Sequence, residues 1–292
     1  MSVTNRHRAL ILAAGGIAGA LLSAPAHSAV DTSPPTLTTP VKASFDVGEQ
    51  IDVGWPQPCG SDPHDIRVHS VPVTFRWSGS DDSGSVSYSL EEETGANGPA
   101  EVFSDTTQTS YSAPVGSNGD QSCGGGNWSI YQWNMTASDS AGNSVTNQVY
   151  GGRIRLTQDN NLADNAGYAT QPTVSYTGSW GLSTCKCWSD GGLHRTTAKG
   201  ATATITPQAF AGYPALKNHH VGLVMHQGPD RGRFKVYVDG SLRKTVDLYA
   251  PTSRPRMIVW QTAFRDYGHQ IRLVNLATPG RPRIDLDAVL TN

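Results

Sequence analysis

The chain has 292 residues, with 22 Lys+Arg, 24 Asp+Glu and a formal net charge of −2. Only 16% of residues are charged and 37% are hydrophobic, while glycine alone numbers 31. This balance excludes a highly charged disordered chain and argues against a helical bundle; it suits short strands joined by many turns.

Residues 1–28 are set apart from the fold. Arg6-His7-Arg8 is a short basic region, Ala9 to Leu22 is an uncharged apolar run, and Ala24-Pro25-Ala26 and Ala26-His27-Ser28 offer small residues for cleavage. This is the pattern of a secretory signal peptide, so the protein is expected to be secreted. The run is shorter than the roughly 20 residues a spanning helix needs, and no later segment is apolar over such a length, so no membrane span is expected.

A first unit is expected over residues 31–157. A Thr/Pro-rich lead-in, Asp31 to Pro40, precedes Val71–Trp77, where Val73, Phe75 and Trp77 share one face. Ser80-Asp81-Asp82-Ser83-Gly84 is a turn cluster, and Val86, Tyr88 and Leu90 alternate after it. Tyr131, Trp133, Met135 and Ala137 form another one-sided strand, then Asp139-Ser140-Ala141-Gly142-Asn143 turns into Ser144–Val149. Period-two runs separated by turn signals predict a β-sandwich. The Trp77-Ser-Gly-Ser-Asp-Asp-Ser-Gly84 and Asp139-Ser-Ala-Gly142-Asn143 turns, with Tyr88 and Trp133, resemble the immunoglobulin-like and fibronectin-type-III-like modules of bacterial secreted proteins. Asp81 and Asp82 suggest a cation, but turn aspartates more often bond their own backbone.

Gln158 to Thr170 is rich in Asn, Asp, Gly and Ala without periodicity, and is read as a linker. The charge changes sign there. From Ala29 to Thr170 there are 5 Lys+Arg against 17 Asp+Glu, a net of −12; from Gln171 to Asn292 there are 15 against 7, a net of +8. A basic second half suits an anionic partner; mutual attraction of the halves, or solvated arginines on strand faces, explains it equally well.

The second unit, residues 171–292, shows the clearest patterns. Ala201, Ala203 and Ile205 alternate with threonines; Val221, Leu223 and Met225 line one face of the next strand. Phe234, Val236 and Val238 alternate up to Asp239-Gly240, and Leu242, Val246 and Leu248 are expected inward on the way back, a strong hairpin signal. Met257–Trp260 and His269–Leu276 read as strands, and Arg281–Leu290 closes the chain with Ile284, Leu286, Ala288 and Leu290 inward. The size suits a jelly roll. Tyr176-Thr-Gly-Ser-Trp180, Gly228-Pro-Asp-Arg-Gly232, Val236-Tyr-Val-Asp-Gly240, Val246-Asp-Leu-Tyr249 and Arg281-Pro-Arg-Ile-Asp-Leu-Asp287 resemble the galactose-binding-like β-sandwiches that serve as carbohydrate-binding modules in secreted actinobacterial proteins. The expected fold class is therefore all-β: an immunoglobulin-like sandwich followed by a jelly roll.

Candidate residues are weighed against ordinary structural roles. Trp188 lies in a loop and suits stacking on a sugar, with Arg195, Asp230 and Arg231 as polar contacts; alternatively Trp188 covers a disulfide and Arg231 braces its loop. Asp285 and Asp287, two residues apart on one strand, suit calcium, which the resemblance also implies; the alternative is pairing with Arg283 or another arginine. No other cofactor is suggested, and His219, His220 and His226 lack a metal-site spacing. Four cysteines allow three pairings, of which Cys59–Cys123 and Cys185–Cys187 are favoured. Neither a Gly-x-Ser-x-Gly elbow nor a His-Glu-x-x-His motif occurs, so a non-catalytic protein is expected. The leading reading is a monomeric binding protein for carbohydrate or cell-surface polymer, without nucleic acid as partner. The alternative is a structural or adhesive protein whose sandwiches act as spacers.

Overall fold

The computed structural model describes residues 31–53, 68–82, 84–94, 98–115, 132–149, 155–158, 172–189, 191–207, 219–265 and 268–291. Every regular element in them is a strand, as the alternating patterns require. The first part contains β1 (Thr36–Phe45), β2 (Asp52–Val53), β3 (Val68–Ser80), β4 (Val86–Thr94), β5 (Gly98–Thr106), β6 (Ser110–Val115), β7 (Gln132–Asp139), β8 (Ser144–Val149) and β9 (Arg155–Gln158). The second contains β10 (Thr173–Thr177), β11 (Gly181–Thr184), β12 (Gly192–Thr196), β13 (Thr202–Thr206), β14 (His219–Gln227), β15 (Arg233–Val238), β16 (Ser241–Asp247), β17 (Arg254–Phe264), β18 (Ile271–Asn275), β19 (Ile284–Leu286) and β20 (Ala288–Thr291).

Two hydrophobic cores result. The first lies among the sheet of β1, β3, β2 and β6 and the sheet β5-β4-β7-β8. Phe75 meets Trp133 edge-on at 4.9 Å, and Trp77 stacks on Phe103 at 5.1 Å. The second is enclosed by the five-stranded sheet β10-β13-β18-β15-β16 and the sheet β17-β14-β20-β9, with the small sheet β11-β12-β19 beside them.

The sheet β17-β14-β20-β9 serves both cores. On β14, Val221, Leu223 and Met225 enter the second core while Val224 enters the first. Ile258 of β17 and Ala288 and Leu290 of β20 also belong to the first, and Val289 to the second. Burying one such side chain contributes about 1.5–3 kcal/mol, so both faces of this sheet are held by packing. Gly222 sits where a Cβ would stand 2.9 Å from the Phe45 ring, and its lack of a side chain lets β1 approach. Backbone bonds reinforce the junction: β9 pairs antiparallel with β20, and Gly48 N–H donates to the Ile258 carbonyl at 2.8 Å. Thr32–Asn292 accordingly forms one compact unit by its contacts. Gln158, the first residue of the expected linker, ends β9; residues 159–170 lie outside the described region.

Two expectations about side-chain direction are corrected. Leu242 is 52% exposed, because a bulge next to the turn sets it opposite Tyr237 on the outer face. Val246 and Leu248 are buried as expected. In the last segment Ile284 and Leu286 face the second core, but Ala288 and Leu290 face the first. The phase changes at Asp287, which separates β19 from β20 and whose N–H donates to the Val224 carbonyl at 3.0 Å. The Asp239-Gly240 turn has φ of 50° and 77°, as a two-residue hairpin of type I′ requires.

Candidate functional site

Three loops meet at one end of the second core. Cys185 and Cys187 are bridged, and Cys185 N–H donates to the Gly191 carbonyl at 2.9 Å, which closes the loop and turns Trp188 inward. Cys59 and Cys123 lie outside the described residues. Gly228–Gly232 is pinned on both sides: Gly228 N–H donates to Leu248 at 3.0 Å and Gly232 N–H to Arg283 at 2.8 Å. Gly232 admits no side chain, since a Cβ there would collide with the Arg281 carbonyl. The third segment, residues 278–287, carries Arg281, Arg283, Asp285 and Asp287.

Beneath these loops lies a buried polar network. Asp285 is fully buried and receives Arg231 Nε on one oxygen and Arg283 Nε on the other, each at 2.6 Å. Arg231 also pairs with Asp230, whose side chain stays exposed. Partial burial raises the Asp230 carboxyl, but the Arg231 bond and charge outweigh it and hold it below its ordinary value. Trp188 Nε1–H donates to His226 Nδ1 at 3.1 Å, and Arg231 Nη2 lies 3.3 Å from the same nitrogen. Both are donors, so Nδ1 is the acceptor, and Nε2–H is left to donate to Ser253 Oγ at 2.8 Å. Burial first, then the Arg231 guanidinium, pushes His226 down to about 4. Asp287 accepts from Ser189 Oγ at 2.6 Å.

The network decides the roles of the candidate residues. The structure brings together Trp188, Asp230, Arg231, Asp285 and Asp287. Trp188 is 6% and Arg231 7% exposed, so neither presents a surface to a ligand: Arg231 braces its loop, the alternative given above, and Trp188 is bonded to His226. Arg195 is exposed on β12, opposite Asp285 in the ladder, and the guanidiniums that bind Asp285 are those of Arg231 and Arg283. Asp285 does not fit a calcium site, because both its oxygens already face cationic groups, and Asp287 is engaged by Ser189. Among the described residues, no third Asp, Glu, His or Cys joins Asp285 and Asp287 within ligand range.

Above the network stands an aromatic platform that sequence reasoning left without a role. Tyr249 is 53% exposed, and the Arg281 guanidinium covers one ring face at 4.8 Å. Arg281 is fixed by a forked pair with Asp247 at 2.9 and 3.3 Å and by the Arg231 carbonyl at 2.9 Å. Asp247 Oδ1 in turn accepts from the Tyr249 amide at 2.9 Å. Partial burial raises the Asp247 carboxyl, but Arg281 and the Tyr249 amide outweigh it and hold it below its ordinary value. A ring covered on one side yet half exposed leaves its other face to solvent. The sequence signal was available: Tyr249 follows Leu248 at the end of an alternating strand, in the outward position.

No protein-family model matches this chain, and no curated protein matches it. Solved structures are matched at low similarity. The CBM36-1 domain of a multidomain xylanase from the hindgut metagenome of Trinervitermes trinervoides is 13% identical, with a TM-score of 0.29, over 48% of this chain and 97% of that one. The exo-β-1,3-galactanase Pc1,3Gal43A of Phanerochaete chrysosporium is 12% identical, with a TM-score of 0.29, over 85% of this chain and 69% of that one. The Agl-KA catalytic domain is 13% identical, with a TM-score of 0.29, over 47% of this chain, which spans 27% of it. These neighbours include carbohydrate-related folds, and the likeness is too low to say anything of the site.

Proposed function

We propose that this is a secreted, non-catalytic carbohydrate-binding protein, and that Tyr249 is the ring on which a sugar stacks. The observation that carries the reading is the half-exposed Tyr249 ring, backed by the fixed Arg281 guanidinium, with Arg281 and Asp247 beside it as polar partners for hydroxyls. Sugar C–H faces pack on flat rings while fixed polar groups orient the ring substituents. Arg281, already held by Asp247 and the Arg231 carbonyl, loses little freedom on binding, which favours affinity.

Because the two cores share a sheet, the test uses the whole chain rather than its C-terminal part. Glycan-array binding and titration calorimetry of the best glycan are compared with Tyr249→Ala. The expected result is a loss of about tenfold or more in affinity, the scale of an interface anchor. Unchanged binding by Tyr249→Ala, or no glycan bound by the unaltered protein, overturns the reading.

A further inference from the structure

The outer face of the sheet β10-β13-β18-β15-β16 continues from the Tyr249 platform and has a composition of its own. Ladder partners point to the same side of a sheet, so Arg233, Lys235 and Tyr237 of β15 share this face with Arg272 of β18. Arg272 lies over the Tyr237 ring at 4.8 Å. The edge strand β16 adds Arg243, exposed at the bulge opposite Tyr237. The alternate hydroxyl residues of Thr173–Thr177 and Thr202–Thr206 fill the other half of the face. Asp247, opposite Arg233, is the carboxylate that the ladders place here among the described residues, and it is taken by Arg281. Among the described residues no carboxylate forms an ion pair with Lys235, Arg243 or Arg272.

We infer that this face binds an acidic polysaccharide, one bearing carboxylate or sulfate groups at intervals along its chain; the inference rests on the carbohydrate reading and narrows it. Cations spread over neighbouring strands, about 4.8 Å apart across the sheet and about 6.8 Å apart along a strand, match repeated anionic groups rather than a single ion. The adjoining Ser/Thr rows offer donors and acceptors to sugar hydroxyls. Arg233, Asp247, Arg281 and Tyr249 run in sequence from this face to the platform, so one polymer would meet charge recognition and ring stacking on a continuous surface.

The test is retention of the purified full chain on immobilised polygalacturonate, chondroitin sulfate, neutral arabinoxylan and duplex DNA, in low and high salt. The triple variant Lys235→Gln, Arg243→Gln, Arg272→Gln and the single variant Tyr249→Ala are run beside it, with melting temperatures to show that each folds. The expected result is salt-sensitive retention on one or both acidic polysaccharides, weakened about tenfold by the triple variant, as the loss of three charge contacts implies. The two acidic polymers separate carboxylate from sulfate recognition. Retention on arabinoxylan alone, sensitive to Tyr249→Ala but not to the triple variant, overturns this inference and leaves the carbohydrate reading standing. Equal retention on DNA, or acidic-polymer binding untouched by the triple variant, also overturns it. Absence of binding to any polysaccharide defeats both.

Discussion

Two neighbouring assemblies of the C-terminal region use the same kinds of residue to different ends. The inner one joins Trp188, His226, Arg231, Arg283 and Asp285; the outer one joins Tyr249, Arg281 and Asp247. Each sets an aromatic ring near an arginine and the arginine on a carboxylate. Burial separates them: Asp285 is fully buried, whereas Asp247 keeps 45% of its side chain exposed. A buried carboxylate must be neutralised by its neighbours, so the inner assembly is committed to stability. An exposed ion pair adds little to folding and is available to orient a ring for a ligand.

The largest effect should come from breaking the inner assembly. Asp285→Ala leaves two guanidiniums without their shared carboxylate, and a loss of about 3–5 kcal/mol in chemical denaturation is expected. A result below about 1 kcal/mol would place the two assemblies in the same class.

Next comes pH. His226 titrates near its ordinary 6.5 when unfolded and at about 4 when folded. Between those values the unfolded chain binds the extra proton, so stability present above pH 6.5 declines as pH falls and levels off near 4. The full change is about 3 kcal/mol. Carboxylates held low in the fold, such as Asp239 and Asp247, lose their contribution below about pH 4, outside this window. Denaturation curves of the protein and of His226→Gln across this range check the assignment; an identical slope in both would remove it from His226.

A smaller loss, about 1–2 kcal/mol, is expected for Trp188→Phe, which keeps an aromatic ring but removes the N–H donated to His226 and part of the buried ring volume. Its glycan binding should match that of the unaltered protein; a large loss of binding with intact stability would restore Trp188 as a contact residue. Least of all, Tyr249→Ala should change stability by no more than about 0.5 kcal/mol, since its ring contacts are exposed. A melting-temperature drop as large as that of Asp285→Ala would show the platform to be structural.

Much of this architecture could be read from period-two alternation. Val73, Phe75 and Trp77, or Phe234, Val236 and Val238, point inward as their spacing predicts. The doubly covered sheet does not follow from alternation, because a period-two reading makes its strands one-sided. Its mark was present in the unbroken apolar runs Val221–Met225, Met257–Trp260 and Ala288–Leu290, which suit strands packed on both faces. The bulge that exposes Leu242 leaves no trace in local spacing, since a single extra residue shifts the phase without altering composition. At the site, the sequence placed Asp230, Arg231, Asp285 and Asp287 among the residues of interest, but their depth depends on strands far apart in the chain. Trp188 drew attention as a loop aromatic, whereas Tyr249, an ordinary outward strand position, is the ring that solvent meets.

The sheet formed by β17, β14, β20 and β9 has a thermodynamic consequence. Loosening either sandwich strips cover from strands on which the other depends, so neither half can melt while its neighbour stays native. Calorimetry should record a single endotherm whose van't Hoff and measured enthalpies agree, in place of the paired transitions typical of beads on a string.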